Sequence, residues 1–230
     1  MKHRSYGRSP GRVTALALLV SLHACSGVPR TGQAPPPVTA ANNLTGGAGF
    51  QVQLPAFVEH PQPGDFSICH GNTCSKRARI SLSAADWDQV RAILLHPAAT
   101  ASAERQNIAT AVALLENMVG LKSGTDADLG RDEGMGRPGQ LDCVDEAINT
   151  TVYLTMLQND GLLRFHNVGG RATRGPFTGL FAQWPHSTSV MRDTESGTEY
   201  AVDAWFLANG EPPFIVPMSD WWRGWRPPGL

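Results

Sequence analysis

Apolar residues recur at helical spacing in two segments of the first half of the chain. Ser83 is a suitable N-cap with Asp86 three residues later, and the apolar positions that follow continue until Pro97. A second helix is predicted over residues 102–119, with Gly120 at its stop. Each segment has one apolar side, which predicts helices that pack on a core.

A third helical segment, residues 143–159, is apolar around most of its circumference. Asp142 is a suitable N-cap, and Asp145 and Glu146 lie in the first turn, where carboxylates interact favourably with the helix dipole. The buried side is formed by Val144, Ala147, Ile148, Thr151, Val152, Leu154 and Leu157. Because these positions cover more than one stripe, we expect this helix to be central to the fold.

After Asp160 the pattern changes to short runs with β propensity. These runs cover residues 162–168, 178–184, 186–192 and 199–207, and an earlier one covers 79–82. Helices followed by antiparallel strands predict an α+β fold, with N-terminal helices and a central helix packed on an antiparallel sheet.

The first residues have the pattern of an export signal. Four basic residues precede an apolar run, Val13–Leu22, which is too short to span a bilayer. The chain then becomes rich in Pro, Gly and Ala without a sustained hydrophobic period. The sequence thus predicts a signal peptide at 1–24, a tether at 25–60 and one folded domain at 61–230.

The signal ends in Leu22-His23-Ala24-Cys25-Ser26, which resembles a bacterial lipobox. The resemblance implies cleavage before Cys25 and acylation of that residue, and Ser26 in place of Asp implies transfer to the outer membrane. We expect a periplasmic protein with a lipid anchor in the membrane. The alternative is an ordinary secretory signal in which Cys25 is incidental, and in both cases the mature protein is exported.

The charge balance gives no reason to expect a polyanionic partner. The chain has 19 Lys and Arg against 20 Asp and Glu, which leaves a formal net charge of -1. Nucleic acid and anionic lipid headgroups are therefore disfavoured as partners.

Three cysteines remain once Cys25 is assigned to the anchor. Cys69 and Cys74 enclose four residues that include a flexible Gly-Asn pair, so a tight turn brings their sulfurs together in an oxidising compartment. A zinc knuckle is the alternative, but a second ligand pair at suitable spacing is lacking. A disulfide between Cys69 and Cys74 leaves Cys143 as the remaining thiol.

The loop between residues 122 and 140 is rich in Gly and Asp. Its carboxylates belong to Asp126, Asp128, Asp132 and Glu133. They suggest calcium, but the bidentate Glu that closes an EF-hand loop is not at the required distance. We favour a solvated loop and assign no metal ligand.

Cys143 lies in the first turn of the third helix, where unsatisfied N–H groups and the helix dipole stabilise a thiolate. Asp142 and Asp145 oppose that effect, so a reactive thiol needs a cationic imidazole partner. The alternative is that Cys143 is a small buried apolar residue.

A β-hairpin supplies such a partner. Residues 193–197 are a turn-rich stretch between two strand-like runs. When residues 193 and 198 oppose each other, His186 lies diagonal to Asp203 on the same face, within side-chain reach. A register shifted by one residue places the two on opposite faces.

A helix-borne Cys followed by a hairpin-borne His and Asp resembles the transglutaminase-like fold, and especially the bacterial transglutaminase-like cysteine proteases of the periplasm. The resemblance covers roughly residues 140–206 and rests on Cys143-Val144-Asp145-Glu146-Ala147, Pro185-His186-Ser187-Thr188-Ser189-Val190 and Tyr200-Ala201-Val202-Asp203-Ala204-Trp205. It implies a papain/transglutaminase-like architecture and a triad in which His186 takes the proton of Cys143 and Asp203 orients the imidazole.

This triad predicts a thiol hydrolase, a cysteine peptidase or amidase, that acts through a thioester on a protein or peptide of the cell envelope and needs no cofactor. Gly139-Gln140 precedes the thiol, but Leu141 and Asp142 intervene, so the Gly-Gln-Cys-Trp signature of animal transglutaminases is missing. Hydrolysis is favoured over amine transfer, and Gln140 is the candidate for a side-chain donor to the oxyanion. The alternatives are a protein-glutamine transferase and a non-catalytic envelope module that binds peptide or glycan.

Two further features compete with this assignment. His166 is an alternative base, but Asn167-Val168 follows it in place of a carboxylate-bearing strand. An aromatic cluster either caps the core, which we favour, or lines a groove for extended peptide. Its members are Trp205, Phe206, Trp221, Trp222 and Trp225.

Overall fold

A computed structural model describes most of the region that the sequence predicts to fold: residues 56–95, 98–131, 133–134, 136–175 and 185–229. The predicted export signal, Cys25 and the predicted tether up to residue 55 lie outside the described residues, as does the strand predicted over 178–184. Phe57, within the segment predicted as tether, packs in the main core.

The described residues form an α+β fold, which confirms the class that the sequence predicts. In chain order the elements are β1 (Phe66–His70), β2 (Lys76–Ile80), α1 (Ala84–Leu94), α2 (Ala101–Ser123), α3 (Cys143–Asn159), β3 (His166–Arg174), β4 (His186–Asp193), β5 (Glu199–Asp203), β6 (Phe214–Pro217) and α4 (Met218–Trp222). None of the helices in this part of the chain is long and apolar enough to cross a membrane.

The strands form two antiparallel sheets. β1 and β2 make a hairpin, and the remaining strands make a four-stranded sheet in the order β3-β4-β5-β6. Successive side chains of a strand point to opposite faces. Met191 of β4 packs in the main core, whereas its neighbour Val190 packs in a smaller cluster. That cluster also contains Ala201, Met218 and Trp221, so α4 covers the sheet face opposite to the main core.

α3 is the central helix, as its apolar circumference predicts. Its bounds, Cys143–Asn159, and its N-cap, Asp142, are those expected from the sequence. The helix packs against α2, β1, β3, β4 and β5. Every residue from Asp145 to Leu157 is buried. A helix enclosed in this way fixes the position of its first residue, Cys143.

The first two helices begin as predicted, but α2 ends one turn late. Ser83 and Asp86 form the expected capping box of α1. The predicted stop of α2 at Gly120 is wrong, because the helix continues to Ser123 and is capped by Gly124, whose φ is 75°. A Cβ atom at Gly120 would lie 2.9 Å from the Cα atom of Asp126, so this glycine allows a close approach of the following loop.

Three predicted strands have shifted bounds. The run 79–82 overlaps the end of β2, 162–168 overlaps the start of β3, and 199–207 contains β5. β3 begins later than predicted because the N–H of Leu162 donates to the carbonyl of Leu157 at 3.0 Å and so completes the C-terminus of α3.

Candidate active site

Cys143 is the first residue of α3 and keeps its thiol. Asp142 caps the helix by accepting two backbone N–H bonds of the first turn. The thiol is half-buried, and its Sγ lies 3.9 Å from the carbonyl oxygen of Pro185. Because Pro185 directly precedes β4, the thiol lies next to the N-terminal end of this strand, whose first residue is His186.

The β4–β5 hairpin has the register that its turn chemistry predicts. The N–H of Asp193 donates to the carbonyl of Thr198 at 2.9 Å, and the strand pairs that follow keep this register. His186 Nε2 lies 2.7 Å from Asp203 Oδ2 as a result. Both side chains are almost completely buried. The predicted contact between imidazole and carboxylate is therefore present.

The second nitrogen of this imidazole has a different environment. His186 Nδ1 is buried and has no hydrogen-bond partner among the described residues. An ionised carboxylate only accepts, so the bond to Asp203 requires a proton on Nε2 and leaves a lone pair on Nδ1 of the neutral ring. An imidazole held in this tautomer accepts a proton at Nδ1.

Aromatic rings enclose the imidazole. The ring centroids of Trp205, Phe206 and Trp221 lie 4.8, 5.3 and 5.7 Å from that of His186. Trp221 is fully buried and donates its indole N–H to Asp203 Oδ2 at 2.9 Å. Three members of the predicted aromatic cluster thus shield the imidazole and its carboxylate from solvent, which strengthens the interaction between them.

A disulfide loop covers the first turn of α3. Cys69 and Cys74 are bonded as the sequence predicts, with their Cα atoms 4.7 Å apart. The backbone N–H groups of Asn72 and Cys74 donate to the carboxylate of Asp145 at 2.9 and 2.7 Å. This contact between the loop and the helix is not evident from the sequence, because the partners lie more than 70 residues apart.

The loop also changes the electrostatic environment of the thiol. The N–H of Thr73 donates to Asp142 Oδ2 at 2.7 Å. Burial, with the neighbouring Asp142 carboxylate, raises the pKa of Asp145 to about 7, although three backbone N–H groups act in the opposite direction. The negative charge that opposes a thiolate at Cys143 is therefore weaker than the sequence suggests.

Gln140 and the acidic loop hold each other in place. Gln140 Nε2 donates to the carbonyl of Ala127 at 2.8 Å, and its Oε1 accepts from the N–H of Leu129 at 3.2 Å. The amide considered as an oxyanion donor is thus already bonded to the loop.

Asp128 of the acidic loop accepts two backbone N–H bonds in the same region. Within the described residues, which do not include Asp132, no group of three His, Cys, Asp or Glu side chains is arranged for a metal ion.

His166, the alternative base, lies at the far end of the β3–β4 ladder. It pairs with Asp193, whereas His186 pairs with the opposite end of β3. Its Nδ1 lies 2.9 Å from Glu104 Oε1, and its Nε2 lies 3.2 Å from Arg105 Nη1. Because both ring nitrogens are bonded and the residue is completely buried, His166 has a structural role.

Two buried carboxyl groups, those of Glu116 and Glu146, lie on the facing helices α2 and α3, and the sequence does not predict the burial of either. Glu116 Oε2 accepts from the N–H of Gly210 at 3.1 Å, and its Oε1 has no hydrogen-bond partner in the described part of the chain. Burial, with a smaller contribution from the charge of Asp128, raises the pKa of Glu116 to about 8. Burial, followed by the charges of Glu116 and Asp128, also raises the pKa of Glu146 well above its usual range.

Comparison with known proteins identifies no relative. No protein-family model matches the chain, and no curated protein or solved structure does. The chemistry of the site is therefore inferred from its own geometry.

Proposed function

We propose that the protein is an exported thiol hydrolase, a cysteine peptidase or amidase with Cys143 as its nucleophile. The observation that carries the proposal is the buried 2.7 Å bond between His186 Nε2 and Asp203 Oδ2. It holds the imidazole in the tautomer whose Nδ1 accepts a proton. The thiol of Cys143 contacts the carbonyl of the residue just before His186, so nucleophile and base belong to the same end of β4.

The proposed reaction has two steps, acylation of Cys143 and hydrolysis of the thioester, and His186 is the base in both. His186 Nδ1 takes the thiol proton, and the Cys143 thiolate attacks the carbonyl carbon of an amide. The C–N bond breaks as the imidazolium returns the proton to the leaving amine, which leaves a thioester on Sγ. Water then attacks the thioester with Nδ1 as base, the C–S bond breaks, and the carboxylic acid departs.

Asp203 and the start of α3 supply the electrostatic part of this mechanism. Asp203 stabilises the imidazolium that forms when His186 takes the proton. The backbone N–H of Cys143 belongs to the first turn of the helix, where N–H groups lack intrahelical partners, and we assign it as a donor to the oxyanion. The mechanism requires no cofactor.

The same arrangement supports the transglutaminase-like form of the α+β fold. α3 carries the nucleophile, and the following hairpin carries the base and its carboxylate, in the chain order Cys, His, Asp. The export signal and the lipobox-like run at Cys25 support a periplasmic location with a lipid anchor in the outer membrane. A protein or peptide of the cell envelope is the proposed substrate.

Acetyl transfer from p-nitrophenyl acetate tests the proposed function. The wild-type protein is expected to release p-nitrophenol in a burst equal to its concentration and to carry one acetyl group on Cys143, detected by peptide mass spectrometry. Loss of the base in His186→Ala should slow the burst by roughly 10²-fold or more. An equal burst in His186→Ala, or acetylation at another residue, contradicts the assignment.

The fate of the acetyl group distinguishes hydrolysis from transfer. With a primary amine added to the same assay, acetate is expected to remain the main product. If the acetylated amine is the main product, the enzyme is an acyltransferase.

A further inference from the structure

The carboxylate of Asp203 is held by two donors at one oxygen. Its Oδ2 accepts from His186 Nε2 at 2.7 Å and from Trp221 Nε1 at 2.9 Å. Its Oδ1 is buried and has no hydrogen-bond partner among the described residues. The indole N–H only donates, so it fixes the direction of the accepting oxygen, Oδ2.

Trp221 comes from α4, which packs on the sheet face that carries Val190 and Ala201. Alternate residues of a strand share a face, so His186 of β4 and Asp203 of β5 lie on this face as well. Trp221 is completely buried there. α4 therefore covers the imidazole–carboxylate pair from the side opposite to the main core.

Arg174 ties this C-terminal segment to the strand beside His186. The two residues pair directly across the β3–β4 ladder. Arg174 Nη1 donates to the carbonyl of Trp221 at 2.5 Å, and Nη2 donates to that of Trp225 at 3.3 Å. The guanidinium carbon also lies 4.7 Å from the centroid of the Trp221 ring. The indole that donates to Asp203 is thus fixed at its backbone and at its ring.

The charged groups near Arg174 include Asp203 and Cys143 of the candidate active site. Burial lowers the pKa of Arg174, and the charge of Arg226 acts in the same direction, whereas the charges of Asp203 and Cys143 act against it. Arg174 is 3% exposed. Arg174 thus places a buried guanidinium near both the carboxylate and the thiol.

We propose that Trp221 is a positioning residue of the site, whose indole N–H keeps Asp203 Oδ2 directed at His186 Nε2. The inference rests on the proposed function. Without the indole donor, Asp203 retains one partner at Oδ2 and can rotate away from the imidazole. The imidazolium then loses stabilisation, and with it the thiolate of Cys143.

Alkylation of Cys143 by iodoacetamide between pH 4 and 10 tests this role. Trp221→Phe is expected to raise the apparent pKa of alkylation by about one unit or more, which lowers the rate in the acidic limb about tenfold. Trp222→Phe is the matched control, because Trp222 is the next residue of α4 and is 45% exposed. Its profile is expected to equal that of the wild type.

A second variant separates the hydrogen bond from the packing of the buried ring. Incorporation of 3-benzothienylalanine at position 221 keeps the shape of the indole and removes its N–H donor. The same shift in this variant supports the inference. A wild-type profile in the benzothienyl variant overturns it, even if Trp221→Phe shifts the profile, because packing alone then explains the change.

Failure of the inference is distinguishable from failure of the proposed function. If the alkylation profile is the same in the wild type and in His186→Ala, the proposed function and the positioning role both fail. The reactivity of the thiol then does not depend on the imidazole. A profile that depends on His186 but not on the indole N–H overturns the positioning role alone.

Discussion

Asp203→Asn is expected to slow the acetylation of Cys143 by p-nitrophenyl acetate by roughly 10²- to 10⁴-fold without unfolding the domain. The substitution preserves size and shape at a position that is 1% exposed. Circular dichroism and melting temperature report the fold, and the burst rate reports the chemistry.

The loss is expected to come mainly from charge. In the wild type one carboxylate oxygen accepts from both His186 and Trp221. The amide oxygen of an Asn can occupy the same place and accept both bonds, so the tautomer of His186 can survive. An amide stabilises an imidazolium much less than a carboxylate does. The upper end of the range corresponds to an Asn that turns its NH₂ toward His186 and forces the wrong tautomer, as the same substitution does in the Ser-His-Asp triad of serine proteases.

Asp193→Asn is the matched control for this prediction. Asp193 is a buried carboxylate at the opposite end of β4, where its Oδ1 accepts from the N–H groups of Glu195 and Ser196 at 3.0 and 2.9 Å. Its replacement should affect melting temperature slightly and leave the burst unchanged. If both variants lower stability and neither changes the burst, Asp203 is a structural carboxylate.

Glu116→Gln is expected to stabilise the protein at neutral and alkaline pH. Burial raises the pKa of Glu116 from 4.5 to about 8 in the folded state. The folded state therefore binds one more proton than the unfolded state between these values, and wild-type stability falls as pH rises through this window. Gln has no proton to lose and can fill the same space. The advantage of the variant should grow by about 1.4 kcal/mol per pH unit.

Denaturant unfolding at several pH values between 5 and 8 measures this difference. Glu195→Gln removes an exposed carboxylate from the hairpin turn and serves as the control. Its difference from the wild type should be small and nearly independent of pH. Parallel pH profiles for Glu116→Gln and the wild type would show that Glu116 is ionised in the folded protein and that its burial is compensated by contacts other than the bond from Gly210.

The elements that position the candidate site were predictable because their signals are local. Asp142 and Asp145 mark the start of α3 as a capping box, which places Cys143 in the first turn. The turn after Asp193 sets the register of the hairpin, which determines that His186 and Asp203 share a face. Each of these predictions depends on residues within a few positions of one another.

The features that the sequence does not predict depend on contacts between distant segments. Gly120 resembles a helix stop, but its role is the close approach of the loop at Asp126. β6 and α4 are too short to give a periodic pattern, although they bring Trp221 to Asp203. The sequence places Glu146 in the first turn of α3 but does not predict its burial, which follows from the packing of α2 on α3.

The most direct test of the central claim is the pH dependence of Cys143 alkylation by iodoacetamide in the wild type and in His186→Ala. If His186 and Cys143 form a thiolate–imidazolium pair, the wild-type rate follows an apparent pKa well below the unperturbed thiol value of about 8.5. His186→Ala should then return that apparent pKa to about 8.5 or higher, with the label mapped to the Cys143 peptide in both proteins. Identical profiles in the two proteins would contradict the assignment of Cys143 and His186 as nucleophile and base.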